Sequence, residues 1–273
     1  MLRRELNRGY YMSDHTPAPA VPSATILMLR GGQDSLEVFM VVRHHQIDFA
    51  SGALVFPGGK ADPQDFDDAL IPYLQGAHED PTQRAIQVCA IREAFEECGI
   101  LLAYGADGEM IDGARLSTLD AQREPMNKGE VPLLDFLVNN DLRLACDKLQ
   151  HFAHWVTPEM MPKRFDTHFY LAVAPPDHLA LHDGYESVDS VWISPQDAME
   201  AAKSGERTII FPTLCNIEKL ASSTDVDQAL AAAAEDNIRP VLPWTEKRED
   251  GVYLRIPDDM GYPVFEQKMP DRI

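Results

Sequence analysis

The sequence predicts an α/β fold, and three observations carry that reading. Two apolar, β-branched runs at 24–30 and 36–43 flank a Gly31-Gly32 turn and read as paired strands. One well-bounded helix follows at 80–99, and short strand-like runs then alternate with helical ones. At 273 residues the chain is long enough for one large domain with additions, and 45% hydrophobic with 25% charged residues is ordinary for a globular protein.

A net charge of −20 argues against nucleic acid or an anionic membrane surface as the main partner. It also means that an anionic substrate needs metal ions and a local basic pocket. No run of 18 apolar residues occurs, so no transmembrane helix is expected. Cys89, Cys98, Cys146 and Cys215 have no C-x-x-C spacing and read as free thiols in a reducing cytoplasm. Arg3-Arg4 lacks a following apolar stretch and is no export signal, and the C-terminal Pro270-Asp271-Arg272-Ile273 is no peroxisomal address.

Taken in order, Pro17, Pro19 and Pro22 make residues 12–23 a flexible leader, preceded by residues 1–11, which read as a start-site artefact or a disordered tail. Arg43-His44-His45 closes the second strand, as surface polarity or as a basic contact to substrate. Residues 52–59 form a short apolar strand that runs into Gly58-Gly59, where glycine lets the backbone approach a ligand closely. The acidic stretch 61–81 reads as an insertion with a short helix over 65–75.

The helix at 80–99 has marked ends. Asp80 is the N-cap, Pro81 suits the first position, Gln83 completes a capping box and Gly99 stops the helix. Glu93, Glu96 and Glu97 share one face, spanning about 100°. Val88, Ile91, Phe95 and Cys98 form the opposite, buried stripe. Clustered like charges are costly, so this face is either a site for hard divalent cations or simply solvated.

Beyond it, a strand is expected at 100–104, broken helical pieces at 114–140, strands at 150–156, 165–174 and 191–193, and a helix from Ser194-Pro195. Helices at 212–221 and 225–235 follow, the second capped by Ser223 or Thr224. Segments 241–244 and 252–256 suggest a terminal hairpin about Asp250-Gly251. His151 and His154 are three apart without an obvious third ligand, and read as structural or surface residues rather than a zinc site.

Arg92-Glu93-Ala94-Phe95-Glu96-Glu97-Cys98-Gly99-Ile100 resembles the second half of the Nudix box, G-x5-E-x7-R-E-U-x-E-E-x-G-U with U aliphatic, and Gly59 resembles its opening glycine. Gly59 stands 33 residues before Arg92 where the box has 14, an insertion of 19, and Arg84 occupies the place eight residues before Arg92 where the box has glutamate. The resemblance implies an α/β/α sandwich around a mixed β-sheet, with a helical insertion and C-terminal helices plus a hairpin. It implies hydrolysis of a nucleoside diphosphate linked to another group. The expected cofactor is Mg²⁺ or Mn²⁺, held by Glu93, Glu96, Glu97 and the Gly59 carbonyl, with Arg92 orienting a glutamate.

Within that superfamily, Arg43, Gly52, Phe56-Pro57-Gly58-Gly59 and Asp62 resemble the branch of peroxisomal coenzyme A diphosphatases, as do Trp155-x-Thr157-Pro158, Arg164-Phe165-Asp166-Thr167 and the stretch from Glu186 to Trp192. His44 and Ala53 depart from the serine and glutamate of that pattern. The branch implies cleavage of coenzyme A or acyl-coenzyme A to 3′,5′-ADP and 4′-phosphopantetheine. ADP-ribose, NADH or a dinucleotide polyphosphate is the alternative substrate, and a non-catalytic nucleotide sensor a further one. Arg43, Gly58 and Arg164 are the expected substrate contacts. Glu93, Glu97, Arg92 and Glu186 are the catalytic candidates, Glu186 as a loop carboxylate six residues before Trp192, with Asp183 and Asp189 as rivals. The Nudix domain is expected over 24–220, with 221–273 a C-terminal helix and hairpin packed on it, and a homodimer is one possible assembly.

Overall fold

The computed structural model describes residues 17–32, 35–43, 52–178 and 187–269. The N-terminal half holds β1 (Ala20–Gly31), β2 (Leu36–Arg43), β3 (Leu54–Val55), β4 (Gly58–Lys60), β5 (Leu74–Gln75) and α1 (Pro81–Cys98). Then come β6 (Ala103–Tyr104), α2 (Gly113–Ser117), α3 (Arg123–Asn127), α4 (Leu133–Asn139), β7 (Arg143–Ala145), β8 (Gln150–Val156) and β9 (Arg164–Val173). The remainder is β10 (Ser187–Ile193), α5 (Pro195–Ser204), α6 (Phe211–Leu220), α7 (Val226–Glu235), β11 (Pro240–Val241), β12 (Trp244–Arg248), β13 (Gly251–Arg255) and β14 (Glu266–Lys268).

The main sheet runs β10-β2-β1-β9-β8-β11, with β3 on β2 and β4 on β1. It is mixed: β1 and β9 are parallel from Ala20↔Arg164 to Leu29↔Val173, while β1–β2, β2–β10 and β8–β9 are antiparallel. Side chains alternate across it, as strand geometry requires. Ile26, Met28, Phe39 and Val41 pack with Val88, Ile91 and Phe95 of α1 and Phe136 of α4. Leu27, Leu29, Val38, Met40 and Val42 face the other way, onto Ala198, Cys215, Ile217, Ala229 and Ala233 of α5–α7. These two layers make the α/β/α sandwich, and each fully buried aliphatic or phenyl side chain contributes about 1.5–3 kcal/mol. The C-terminal segment joins the second layer: Val241, Ile256 and Tyr262 are buried there, and Tyr262 Oη accepts from Trp155 Nε1 at 2.9 Å.

Several local expectations change. Residues 20–23 belong to β1 and not to a leader, while 1–16 lie outside the described residues. Pro22 lies just past the last β1–β4 pair, where its carbonyl accepts from Ala61 N at 2.9 Å, and the end of the ladder is where a proline's missing N–H costs least. The insertion forms two 3₁₀ segments, Pro63–Phe66 and Asp68–Tyr73, capped by Asp62 and Asp67, with Pro72 preventing an α-helix. Asp80 caps α1 as expected, accepting from Thr82 N and Gln83 N, but its own N–H donates to His78 Nδ1 and not to Gln83. Asp225, not Ser223 or Thr224, caps α7. The hairpin arms are β12 and β13, so its first arm starts at Trp244 and not at Val241.

Candidate active site

Helix α1 is buried on more than its apolar stripe: twelve of its 18 residues are buried, and these include Arg92, Glu96 and Glu97. The solvated reading of the acidic face is therefore excluded, since Glu96 is only 7% and Glu97 6% exposed. What covers that face is the Gly58–Lys60 strand and the turn after it.

Gly58 N donates to Glu97 Oε2 at 2.9 Å. Its φ of +154° suits glycine, and a Cβ there would lie 2.3 Å from the Ala24 carbonyl oxygen. Gly59 faces Glu93 so closely that a Cβ would meet the Glu93 carboxylate at 2.5–2.6 Å. The two glycines thus let the backbone lie directly on two of the three glutamates. The Gly59 carbonyl points to the helix, where Cys89 Sγ approaches it at 3.7 Å.

Arg92 organises the remaining acids. Its Nη1 donates to Glu93 Oε1 and Glu96 Oε2, both at 2.9 Å, and its Nη2 donates to the Lys60 carbonyl at 3.1 Å. Nε and Nη2 also hold both oxygens of Asp65 at 2.9 Å in a two-point pair. Burial raises the Asp65 and Glu96 carboxyls above their ordinary values, with the Arg92 hydrogen bonds and charge working the other way. Burial opposes the Arg92 charge as well, but the Asp65 hydrogen bond and the Glu93 charge outweigh it, and the guanidinium stays protonated. Burial pushes the Cys89 thiol well up, so it is a neutral S–H.

Asp65, which holds the Arg92 guanidinium, is missed by reading backward from the arginine, which lands on Arg84. Arg84 sits apart, paired at 2.8 Å with Asp68, whose side chain is 80% exposed. Counting forward from Gly59 by the box's own G-x5-acid spacing lands on Asp65. The signal was present, and the 19 extra residues therefore all fall between Asp65 and Arg92.

Glu93, Glu96, Glu97, Arg92, Gly58 and Gly59 are thus brought together. Arg43 ends β2 at the same end of the sheet, where its N–H and carbonyl pair with Ala53 and Gly52. Arg164 donates from Nε to the Thr157 carbonyl at 3.0 Å and from Nη1 to the Ala18 carbonyl at 2.8 Å, tying the start of β9 to β1. Glu186, its rival Asp183 and the His44-His45 pair lie outside the described residues. Asp189 is exposed and faces Arg207 at 3.7 Å.

The donor set fits a hard divalent ion. Glu93, Glu96 and Glu97 offer only carboxylate oxygens, and Gly59, having no side chain, brings its backbone directly against the Glu93 carboxylate.

The family model of the NUDT19 Nudix domain matches residues 72–220, more than half of the chain. The chain belongs to the NUDT19 Nudix family. It is a Nudix pyrophosphohydrolase, and α1 is its Nudix helix. Acyl-coenzyme A diphosphatase NUDT19 of Xenopus laevis is 24% identical over 271 residues, covering 83% of this chain and 71% of its own. Its counterpart in Gallus gallus is 26% identical over 283 residues, covering 85% and 74%. The crystal structure of a NUDIX hydrolase from Alicyclobacillus acidocaldarius superposes with a TM-score of 0.69 at 28% identity, covering 78% of this Nudix chain and 96% of that one. Among the described residues no helix is long and apolar enough to cross a membrane.

Proposed function

We propose that the enzyme hydrolyses the diphosphate of coenzyme A or acyl-coenzyme A with Mg²⁺ or Mn²⁺ at Glu93, Glu96, Glu97 and the Gly59 carbonyl. One P–O–P bond breaks, the oxygen of water ends on one of the two phosphoryl groups, and 3′,5′-ADP and (acyl-)4′-phosphopantetheine leave. The observation that supports this most is the Gly58–Glu97 hydrogen bond beside the Arg92-held Glu93 and Glu96, a preorganised set of oxygen donors on a glycine turn. The coenzyme A assignment is supported by the activity named for the NUDT19 relatives.

When bound, the divalent ion supplies neutralisation of the diphosphate charge and Lewis-acid activation of water. The chain's own residues do the positioning. Arg92 fixes the Glu93 and Glu96 carboxylates from one Nη1, and Asp65 fixes the guanidinium plane in turn. The Gly58 N–H sets the Glu97 carboxylate. Glu186, on the segment before β10, is our candidate for accepting the proton of the attacking water, with Arg43 and Arg164 as the candidate cations for the substrate's phosphates. The four buried thiols support a reducing compartment such as the cytoplasm.

The test is mass spectrometry of products from coenzyme A, an acyl-coenzyme A, ADP-ribose, NADH and diadenosine polyphosphates, each with Mg²⁺, with Mn²⁺ and with excess EDTA. We expect 3′,5′-ADP from the first two and none in EDTA. Turnover of ADP-ribose or NADH with none of coenzyme A would replace the substrate assignment, and full activity in EDTA would remove the metal. Glu186→Gln should lower kcat by about 10², while Asp189→Asn should leave it near normal.

A further inference from the structure

On the same face of the sheet as the Glu93 carboxylate lies a second cluster of ligating side chains. Register aligns Gly59, Ala24, His168 and His154 in one row across β4, β1, β9 and β8. With strands about 4.8 Å apart, His168 stands about 10 Å from Gly59. Ala24 and Tyr170, its neighbours on that face, pack against Ile86, Cys89 and Ala90 of α1.

Three-residue spacing in a regular strand would put His151 and His154 on opposite faces. The β8–β9 register shifts between His151 and Ala153, so Phe152 and Ala153 both turn to the far layer and the two histidines return to the same side. His154 then stacks on His168 with ring centroids 4.0 Å apart, and its Nε2 lies directly against Asp166 Oδ1. His154, Asp166 and His168 each present a ligand atom, all within 4.8 Å of one another. His168 Nδ1 meets His151 Nε2 at 3.0 Å, which leaves Nε2 as the ring nitrogen for a ligand.

We propose that His154, Asp166 and His168 form a binding site for a borderline transition-metal ion of the Zn²⁺ class, separate from the glutamate cluster, with His151 as the residue that positions His168. Two imidazoles and one carboxylate are the donors such an ion takes, whereas Mg²⁺ prefers oxygen alone. Bonds of about 2.0–2.2 Å can close this spread with small side-chain rotations. Hydrogen bonding from the far ring nitrogen, here to His151, is what orients a ligating histidine. The Asp166 side chain is 40% exposed, so the ion would have an entry path and coordination positions open to solvent.

The test is calorimetric titration of the full chain with Zn²⁺, and with Co²⁺ as a visible-spectrum probe, in excess Mg²⁺ to occupy the glutamates. One equivalent should bind. His154→Gln and Asp166→Asn should each weaken it by about 100-fold, while Glu97→Gln should keep it. X-ray absorption of the Zn²⁺-loaded native chain, which needs no variant to fold, should show two imidazoles. Absence of stoichiometric binding, a zinc shell without imidazole, or binding lost only in Glu97→Gln would overturn the site.

Discussion

At the scale of single residues, Asp65 and Arg92 govern the geometry of the acidic face of α1. Removing one partner of a buried, hydrogen-bonded ion pair leaves a desolvated charge. Asp65→Asn should therefore cost about 3 kcal/mol. It should also lower kcat, because the guanidinium that sets Glu93 and Glu96 loses its two-point anchor. Asp68→Asn, at the exposed Arg84 pair, should cost less than about 1 kcal/mol. Denaturant melts of the two variants side by side decide this, and equal losses would mean that Arg92 is held by something other than Asp65. Glu97→Gln keeps an acceptor for Gly58 N but removes a charge from the proposed metal site. Steady-state kinetics should show kcat down by about 10² with the melting temperature nearly unchanged.

At the scale of elements, the glycine turn and the end of α1 act as one unit. A methyl group at position 59 would meet the Glu93 carboxylate at 2.5 Å, so Gly59→Ala must rotate that side chain or push β4 off the helix. We expect kcat to fall by about 10² or more, with the circular dichroism spectrum retained. An alanine variant with native turnover would show that the close approach is incidental. Gly99, at φ +68°, accomplishes the helix stop from the other end, and its N–H returns to the Phe95 carbonyl at 2.9 Å.

At the scale of the whole molecule, His178 ties the segment after β9 to the turn before α2. Its Nε2 pairs with the Ile111 carbonyl at 3.1 Å, while its buried Nδ1 has no partner among the described residues. Burial lowers its pKa, against the opposing effects of the Ile111 carbonyl, Asp177 and Asp112. A histidine depressed in the fold binds fewer protons there than in the unfolded chain. Stability is therefore lost as pH falls below the unfolded value near 6.5. Melts at pH 7, 6 and 5 should show this loss, and His178→Gln should flatten it by up to about 1.4 kcal/mol per pH unit. An unchanged slope would place the acid sensitivity elsewhere.

The sequence by itself determined the sandwich's central helix, its caps at Asp80 and Gly99, and the strands that flank it. Apolar periodicity and cap chemistry are local, and they survive whatever packs around them. It also determined the three glutamates and Arg92, because helical spacing alone puts them on neighbouring faces. Tertiary structure alone decided that this acidic face is buried, since whether water reaches Glu96 and Glu97 depends on Gly58–Lys60 lying over them. It likewise decided that Asp65, which the spacing from Gly59 singles out, lies beneath the Arg92 guanidinium 27 residues away, and that a bulge at Phe152 turns His151 and His154 to one side. Contacts between residues far apart in sequence, and a bulge that breaks the two-residue alternation of a strand, are properties of the assembled sheet.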